Sequence, residues 1–361
     1  MKVCIDLTFW RCNKAGGIQT VLLNYLYYFD ELNATYSVIL YEEELKYLTS
    51  NYKFENLKFL NLGKRPNLFI RYANELFLLP KKLLKKNDVI LTFNYFCFLS
   101  IFFKVRSIIM VHDMNHIDVP ETLGRFKAFV RGLLVGNAIR SSELTLTVSK
   151  FSEERLKSHY QINKTLVLYN SINERILSKK DISGHKYEDY FLFVGSTHPH
   201  KNVDIIIDYL ASDGADMNLV IVGQKKKAHD RLLNKVRENN LNSKVHFTGY
   251  LPDEELISLY KQAEALIFPS KYEGFGIPPI EAMAMGCPCI CSNAAAIPEV
   301  CGEAALYFNP GSVAELSDAI HRLKKEEGLR EKIINKGFDR VNLFSWKKSA
   351  HELYNALEEL K

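Results

Sequence analysis

Several features are missing from these 361 residues, and each absence narrows the reading. No apolar run reaches the ~20 residues of a membrane-spanning helix. The longest in the first half, Val89 to Phe103, is interrupted by Asn94, so the chain is not expected to cross a bilayer. Met1-Lys2-Val3 leads straight into a strand-like run, with no apolar leader, and seven cysteines show no paired spacing. A reduced, cytosolic compartment with free thiols is the expectation. C-x2-C is absent; Cys287, Cys289 and Cys291 alternate instead, which in a strand puts three small apolar side chains on one face rather than building a zinc site. G-x-G-x-x-G is absent too, and no single acid stands out at the end of the second strand, Tyr36 to Tyr41, as a ribose anchor, so a nicotinamide dinucleotide is not expected. No helix-turn-helix pattern or aromatic-interleaved basic stripe points to nucleic acid. Short repeats and low-complexity tracts are lacking as well.

What is present is ordinary for a globular protein: 47% hydrophobic and 25% charged residues. The length favours two domains over one core. The net charge of +5 is unevenly spread, because residues 1–175 carry 24 Lys+Arg against 16 Asp+Glu and the remainder carries 23 against 26. A basic first half suits an anionic partner, such as an anionic membrane surface or a phosphorylated substrate. Residues 70–86 combine apolar positions with Lys81, Lys82, Lys85 and Lys86, the pattern of a segment lying on anionic lipid or of a core helix with a solvated basic end. Apolar strands alternate with helical patterns in both halves, broken by an aperiodic stretch near 171–188. The reading is α/β, two doubly wound Rossmann-like domains facing a shared cleft. The boundaries are residues 1–172, a linker 173–188, residues 189–344, and a last helix over 345–361.

Within the second half, Pro269 to Glu281 reads P-S-K-Y-E-G-F-G-I-P-P-I-E, after the apolar strand Ala265–Phe268 and before a helix closed by Gly286. A strand, a glycine turn and a helix N-terminus put backbone N–H groups at the carboxyl edge of a sheet, where anions bind. Glu273 then lies in the turn and Glu281 in the helix's first turn. The plainer reading makes Glu281 a dipole partner and Glu273 a solvated loop acid. Other strand ends converge there: Lys201 after one, Gly223 and Lys225 after another, Tyr250 after a third. A lysine with a helix N-terminus suits a diphosphate, and paired carboxylates suit vicinal hydroxyls. Together they describe a sugar nucleotide, and the absence of D-x-D counts against a metal-clamped transfer. In the first half, His112-Asp113 ends an apolar strand, and Gly16-Gly17 form a turn before a helix, suited to close approach by a phosphate or sugar or to a simple tight turn.

The E-G-F-G-I-P-P-I-E stretch resembles the E-x7-E motif of retaining family 4 glycosyltransferases of the GT-B fold, and within them the bacterial mannosyltransferase-like enzymes of O-antigen assembly. A-G-G-I-Q-T-V, V-H-D, V-S-K-F-S, V-G-S-T-H-P-H-K-N, F-T-G-Y-L, F-P-S-K-Y-E-G-F-G, S-N-A-A-A-I-P-E-V and F-S-W extend the resemblance over nearly the whole chain. It implies a GT-B fold whose C-terminal helix returns to the first domain. It also implies that Glu273 meets the donor sugar, Glu281 the ribose, and Lys201 the departing diphosphate, with backbone N–H groups around Gly274, Phe275 and Gly276. His112 would meet the transferred sugar, with Asp113 beside it, and Gly16-Gly17 the phosphates or acceptor. The co-substrate implied is a nucleotide diphosphate sugar, a GDP-sugar such as GDP-mannose. The acceptor is a lipid-linked oligosaccharide at the inner membrane, where the protein would sit peripherally, with neither metal nor cofactor and no nucleic acid. His200-Lys201-Asn202 departs from the R-K-N of the resemblance, leaving a histidine where an arginine is usual. An epimerase or phosphorylase on the same fold, or an inactive carbohydrate- or lipid-binding scaffold, are the other readings.

Overall fold

A computed structural model describes residues 2–12, 17–67, 88–95, 105–172, 187–212 and 217–360. The chain divides into two compact units, Met1–Asn170 with Ser345–Lys361, and Ser171–Phe344. Ser171 Oγ donates to the Phe344 carbonyl at 3.0 Å, so the two ends of the second unit lie side by side. Most of the expected linker, and all four lysines of the basic 70–86 segment, fall outside the described residues.

The first unit is built on seven parallel strands: β1 (Val3–Asp6), β2 (Ser37–Leu40), β3 (Lys58–Asn61), β4 (Val89–Thr92), β5 (Arg106–Val111), β6 (Leu144–Thr147) and β7 (Thr165–Val167). Their order is β3-β2-β1-β4-β5-β6-β7. Strands β4 and β6 are buried along their whole length, as parallel strands covered on both faces must be, hence their nearly unbroken apolar runs. The edge strand β3 is half-exposed and escapes sequence analysis for that reason. The Gly17–Glu31 helix buries Val21, Leu22, Tyr25, Leu26 and Phe29. It packs against the last helix, Trp346–Glu359, where the Tyr25 and Trp346 rings meet edge-on with centroids 5.8 Å apart. Ser345 caps that helix through the Lys348 N–H, so the chain end returns to the first unit as expected.

The second unit carries six parallel strands: β8 (Tyr190–Val194), β9 (Asn218–Val222), β10 (Val245–Gly249), β11 (Ala265–Phe268), β12 (Cys289–Ser292) and β13 (Ala305–Phe308). The order β10-β9-β8-β11-β12-β13 is that of a doubly wound dinucleotide-type fold. Side chains alternate between two cores with period two. Phe191, Phe193, Leu219, Ile221, Ile267 and Ile290 enter one; Leu192, Val220, Leu266, Phe268, Cys289 and Cys291 enter the other. Cys287 joins the second core, so the alternating cysteines are packing residues. The chain order reverses between β8 and β11, and the loops leaving their carboxyl ends border the crevice that this reversal opens.

Candidate active site

The loops after β8 and β11 are those of the V-G-S-T-H-P-H-K-N and P-S-K-Y-E-G-F-G stretches. Pro199–Lys201 form a single 3-10 turn, ended by Asn202 in the left-handed region at φ 57°. Asparagine tolerates that conformation better than most residues. Its buried amide donates to the carbonyls of Pro310 at 2.8 Å and Pro269 at 3.2 Å, while Lys271 N–H donates to the His200 carbonyl at 2.8 Å. The two loops are thus fixed to each other. Thr197, buried at the same edge, joins the loop after β9: its N–H donates to the Gln224 carbonyl, and its Oγ1 accepts from Lys226 N–H at 2.7 Å.

Lys201 and Glu273 meet at this edge: Nζ lies 2.5 Å from Oε1, with the two side chains 17% and 13% exposed. A half-desolvated pair of this kind is held in place, yet a ligand of suitable charge can still reach it. Beside it, the His198 and His200 rings stack with centroids 5.6 Å apart. The Nδ1 atoms of both rings are shielded from solvent and have no hydrogen-bond partner among the described residues. Burial, reinforced by the Lys201 charge, pushes His200 down to about 4, so it is neutral at physiological pH in the free protein. His198 moves the same way, by burial and by Lys226.

Glu281 stands elsewhere than expected. The helix begins at Ile277, with Pro278 and Pro279 in its first turn, so Glu281 is its fifth residue rather than a first-turn acid. Prolines fit these positions because the N–H groups they lack have no helical partner there. Gly276, at φ +100°, makes the turn into this helix. Tyr260 on the Asp253–Gln262 helix donates its hydroxyl to Glu281 Oε2 at 2.9 Å. Even so, burial pushes the Glu281 carboxyl up to about 6; Tyr260 pulls the other way and Asp253 adds to the rise. A carboxylate held against its preference for protonation is one that hydroxyl donors would stabilise.

The remaining expected residues divide. Gly223 is required by close packing: at φ +139°, an added Cβ would stand 2.1 Å from the Gly195 carbonyl oxygen. Gly274 and Phe275 lie in the turn before the helix, and the Phe275 ring is buried edge-on against Phe344 at 5.4 Å, leaving its backbone as the part able to meet a ligand. Tyr250 is 66% exposed at the end of β10. In the first unit, His112 is buried at the end of β5, with Nε2 2.9 Å from the Phe93 carbonyl. Burial lowers its pKa, and the carbonyl fixes the proton on Nε2, which leaves Nδ1 as an acceptor. Asp113 accepts from Asn115 N–H at 3.0 Å and so opens the short Asn115–Asp118 helix, a local structural role. Gly17 starts its helix with open space around its Cα; Gly16 lies outside the described residues.

Residues 173–340 match the family model described as glycosyl transferases group 1. The chain is 27% identical over 278 residues to O-antigen chain mannosyltransferase B of Escherichia coli, covering 71% of each chain. It is 35% identical over 220 residues to the O-antigen chain mannosyltransferase RfbU of Salmonella typhimurium, covering 60% of each. An uncharacterized glycosyltransferase of Methanocaldococcus jannaschii, MJ1178, is 30% identical over 256 residues, 68% of this chain and 70% of its own. The chain belongs to the group 1 glycosyltransferases. Its fold agrees: the Anabaena protein HepE, solved in complex with UDP and glucose, superposes with a TM-score of 0.78 at 18% identity over 99% of this chain and 100% of its own. Within this glycosyltransferase, Lys201 and Glu273 are each legible in the sequence as strand-end residues, whereas Thr197, Asn202 and Tyr260 gain their roles only from the fold. Asn202 alone carried a readable signal, an asparagine directly after a strand-end lysine.

Proposed function

We propose that this protein is a retaining, metal-independent glycosyltransferase that moves a hexose from a nucleotide diphosphate sugar, most simply GDP-mannose, to a lipid-linked oligosaccharide of O-antigen synthesis. The observation that carries the reading is the Lys201–Glu273 pair, set between the loops of β8 and β11 beside two imidazole nitrogens with no hydrogen-bond partner among the described residues. Diphosphate and sugar hydroxyls have complementary uses for these groups. The phosphates take Lys201, Glu273 turns to the sugar's hydroxyls, and a histidine Nδ1 gains a partner. Glu281, fixed by Tyr260, accepts from the ribose hydroxyls. The acceptor oxygen attacks the anomeric carbon on the face from which the diphosphate departs. The C–O bond electrons go to the diphosphate, and a donor phosphate oxygen takes the acceptor's proton. Lys201 stabilises the charge that develops on the leaving group, usually the largest catalytic contribution of such a site. The names of the O-antigen relatives support mannose and O-antigen synthesis; the lipid-linked acceptor, and the peripheral position on the cytoplasmic side of the inner membrane that follows from it, belong to the proposal itself.

The test is thermal stabilisation by GDP, UDP and dTDP, followed by transfer from the matching sugar nucleotide with product anomer determined by NMR. Selective stabilisation by GDP and retention of configuration are expected. Equal response to all three, or to none, would point to a carbohydrate-binding scaffold; release of a 2-epimer or a sugar phosphate would point to an epimerase or phosphorylase.

A further inference from the structure

The Arg125–Ser141 helix of the first unit inverts the usual arrangement of an amphipathic helix. Phe126, Phe129, Val130 and Leu133 recur at helical spacing on one side, and that side faces water: they are 79%, 65%, 38% and 54% exposed. The buried positions are small or aliphatic, namely Ala128, Val135, Gly136, Ala138 and Ile139. Scattered exposed apolar residues are normal, but four forming one stripe of two turns are a contact surface. The helix also carries Arg125, Lys127, Arg131 and Arg140 and no acidic residue. Arg125 and Lys127 are exposed and flank the stripe at its N-terminal end, while Arg131 lies over the Tyr95 ring at 4.0 Å. Next to the stripe opens a cavity of about 420 Å³, lined chiefly by Ile117, Pro120, Ala128, Phe129, Leu133 and Tyr160. Its lining is mostly apolar, with His116 and Arg125 as its charged or titratable members.

We propose that this helix face docks on an anionic lipid bilayer, with Phe126, Phe129 and Leu133 entering the acyl boundary and Arg125 and Lys127 on lipid phosphates. Charge selects this occupant over a second copy of the chain. A two-fold contact would set two copies of a helix with four basic and no acidic residues against each other, with no acid on either to answer the charge. An anionic headgroup layer answers it directly. The proposal draws its purpose from the lipid-linked acceptor of the proposed function, but the binding itself needs no sugar transfer. It also gives the membrane contact a place other than the Lys81–Lys86 segment.

The experiment is co-sedimentation of the full chain with phosphatidylglycerol–phosphatidylcholine vesicles, against pure phosphatidylcholine, at low and high salt. Binding only to the anionic vesicles, weakened by salt, is expected. Phe126→Ser with Phe129→Ser should lower the partition coefficient roughly 100-fold, about tenfold per ring removed from the boundary. Arg125→Gln with Lys127→Gln should lower it about 30-fold, on anionic vesicles alone. These side chains are exposed, so the variants keep their fold; unchanged stabilisation by the nucleotide diphosphate checks this. Parent-like binding by the serine variant overturns the assignment of this face. So does failure of the parent to bind at low salt, or a dimer in sedimentation velocity that the serine substitutions dissolve. Loss of nucleotide selectivity in the parent, with vesicle binding intact, would sink the transferase reading and leave this one standing.

Discussion

Replacing Glu281 with glutamine should stabilise the free protein while weakening its hold on the nucleotide. The carboxyl is pushed up to about 6, against the 4.5 of a solvated glutamate. A difference of about 1.5 units makes its ionisation in the folded state cost about 2 kcal/mol above pH 6. The folded protein binds this proton more tightly than the unfolded chain, so stability falls as pH rises from about 4.5 to 6 and stays lowered beyond. Glutamine removes the charge but keeps an oxygen for the Tyr260 hydroxyl, 2.9 Å away in the parent. The gain is about 2 kcal/mol, because the rise to about 6 already includes the Tyr260 hydrogen bond, or about 4–8 °C in Tm for a unit of this size. Thermal melts of parent and Glu281→Gln at pH 8 and pH 4 check both the size and the sign. The gain should appear at pH 8 and vanish at pH 4, where the parent's carboxyl is protonated whether folded or not. A lower Tm for the variant at pH 8 would refute the reasoning, because the carboxylate would then be a stabilising group. Isothermal titration with GDP should show weaker binding by the same variant.

Lys201→Ala should lower turnover about 10²–10³-fold, the usual loss for a group that stabilises a leaving anion, and His200→Ala far less; equal losses would make His200 an equal partner. His200→Gln should flatten the acid side of the stability profile. With its folded pKa near 4, the native histidine supports the fold fully above pH 6.5 and loses about 3 kcal/mol as pH falls to 4, which chemical denaturation at stepped pH would register. Gly223→Ala should cost on the order of 4 kcal/mol, since its Cβ would collide with the Gly195 carbonyl; a Tm within about 3 °C of the parent would contradict that contact.

The amino-acid sequence by itself determined the α/β class, the two-part organisation and most of the strands, because parallel strands buried on both faces must be apolar from end to end. It also marked Lys201, Glu273 and His112, since residues at strand ends land on a sheet's carboxyl edge whatever the details of packing. Only the tertiary structure could decide which strand ends become neighbours. β8 and β11 are separated by two strands and three α-helices in the chain but pair in the sheet, and that pairing is what sets Lys201 against Glu273. The same holds for Tyr260 on Glu281, and for Asn202 reaching Pro269 and Pro310, contacts between residues with no periodic relation. The helix at Arg125 was missed for the complementary reason. Its large apolar residues face water instead of the core, so its pattern gives no inward face to read. What a side chain touches depends on the whole fold; what an element is depends mainly on its own residues.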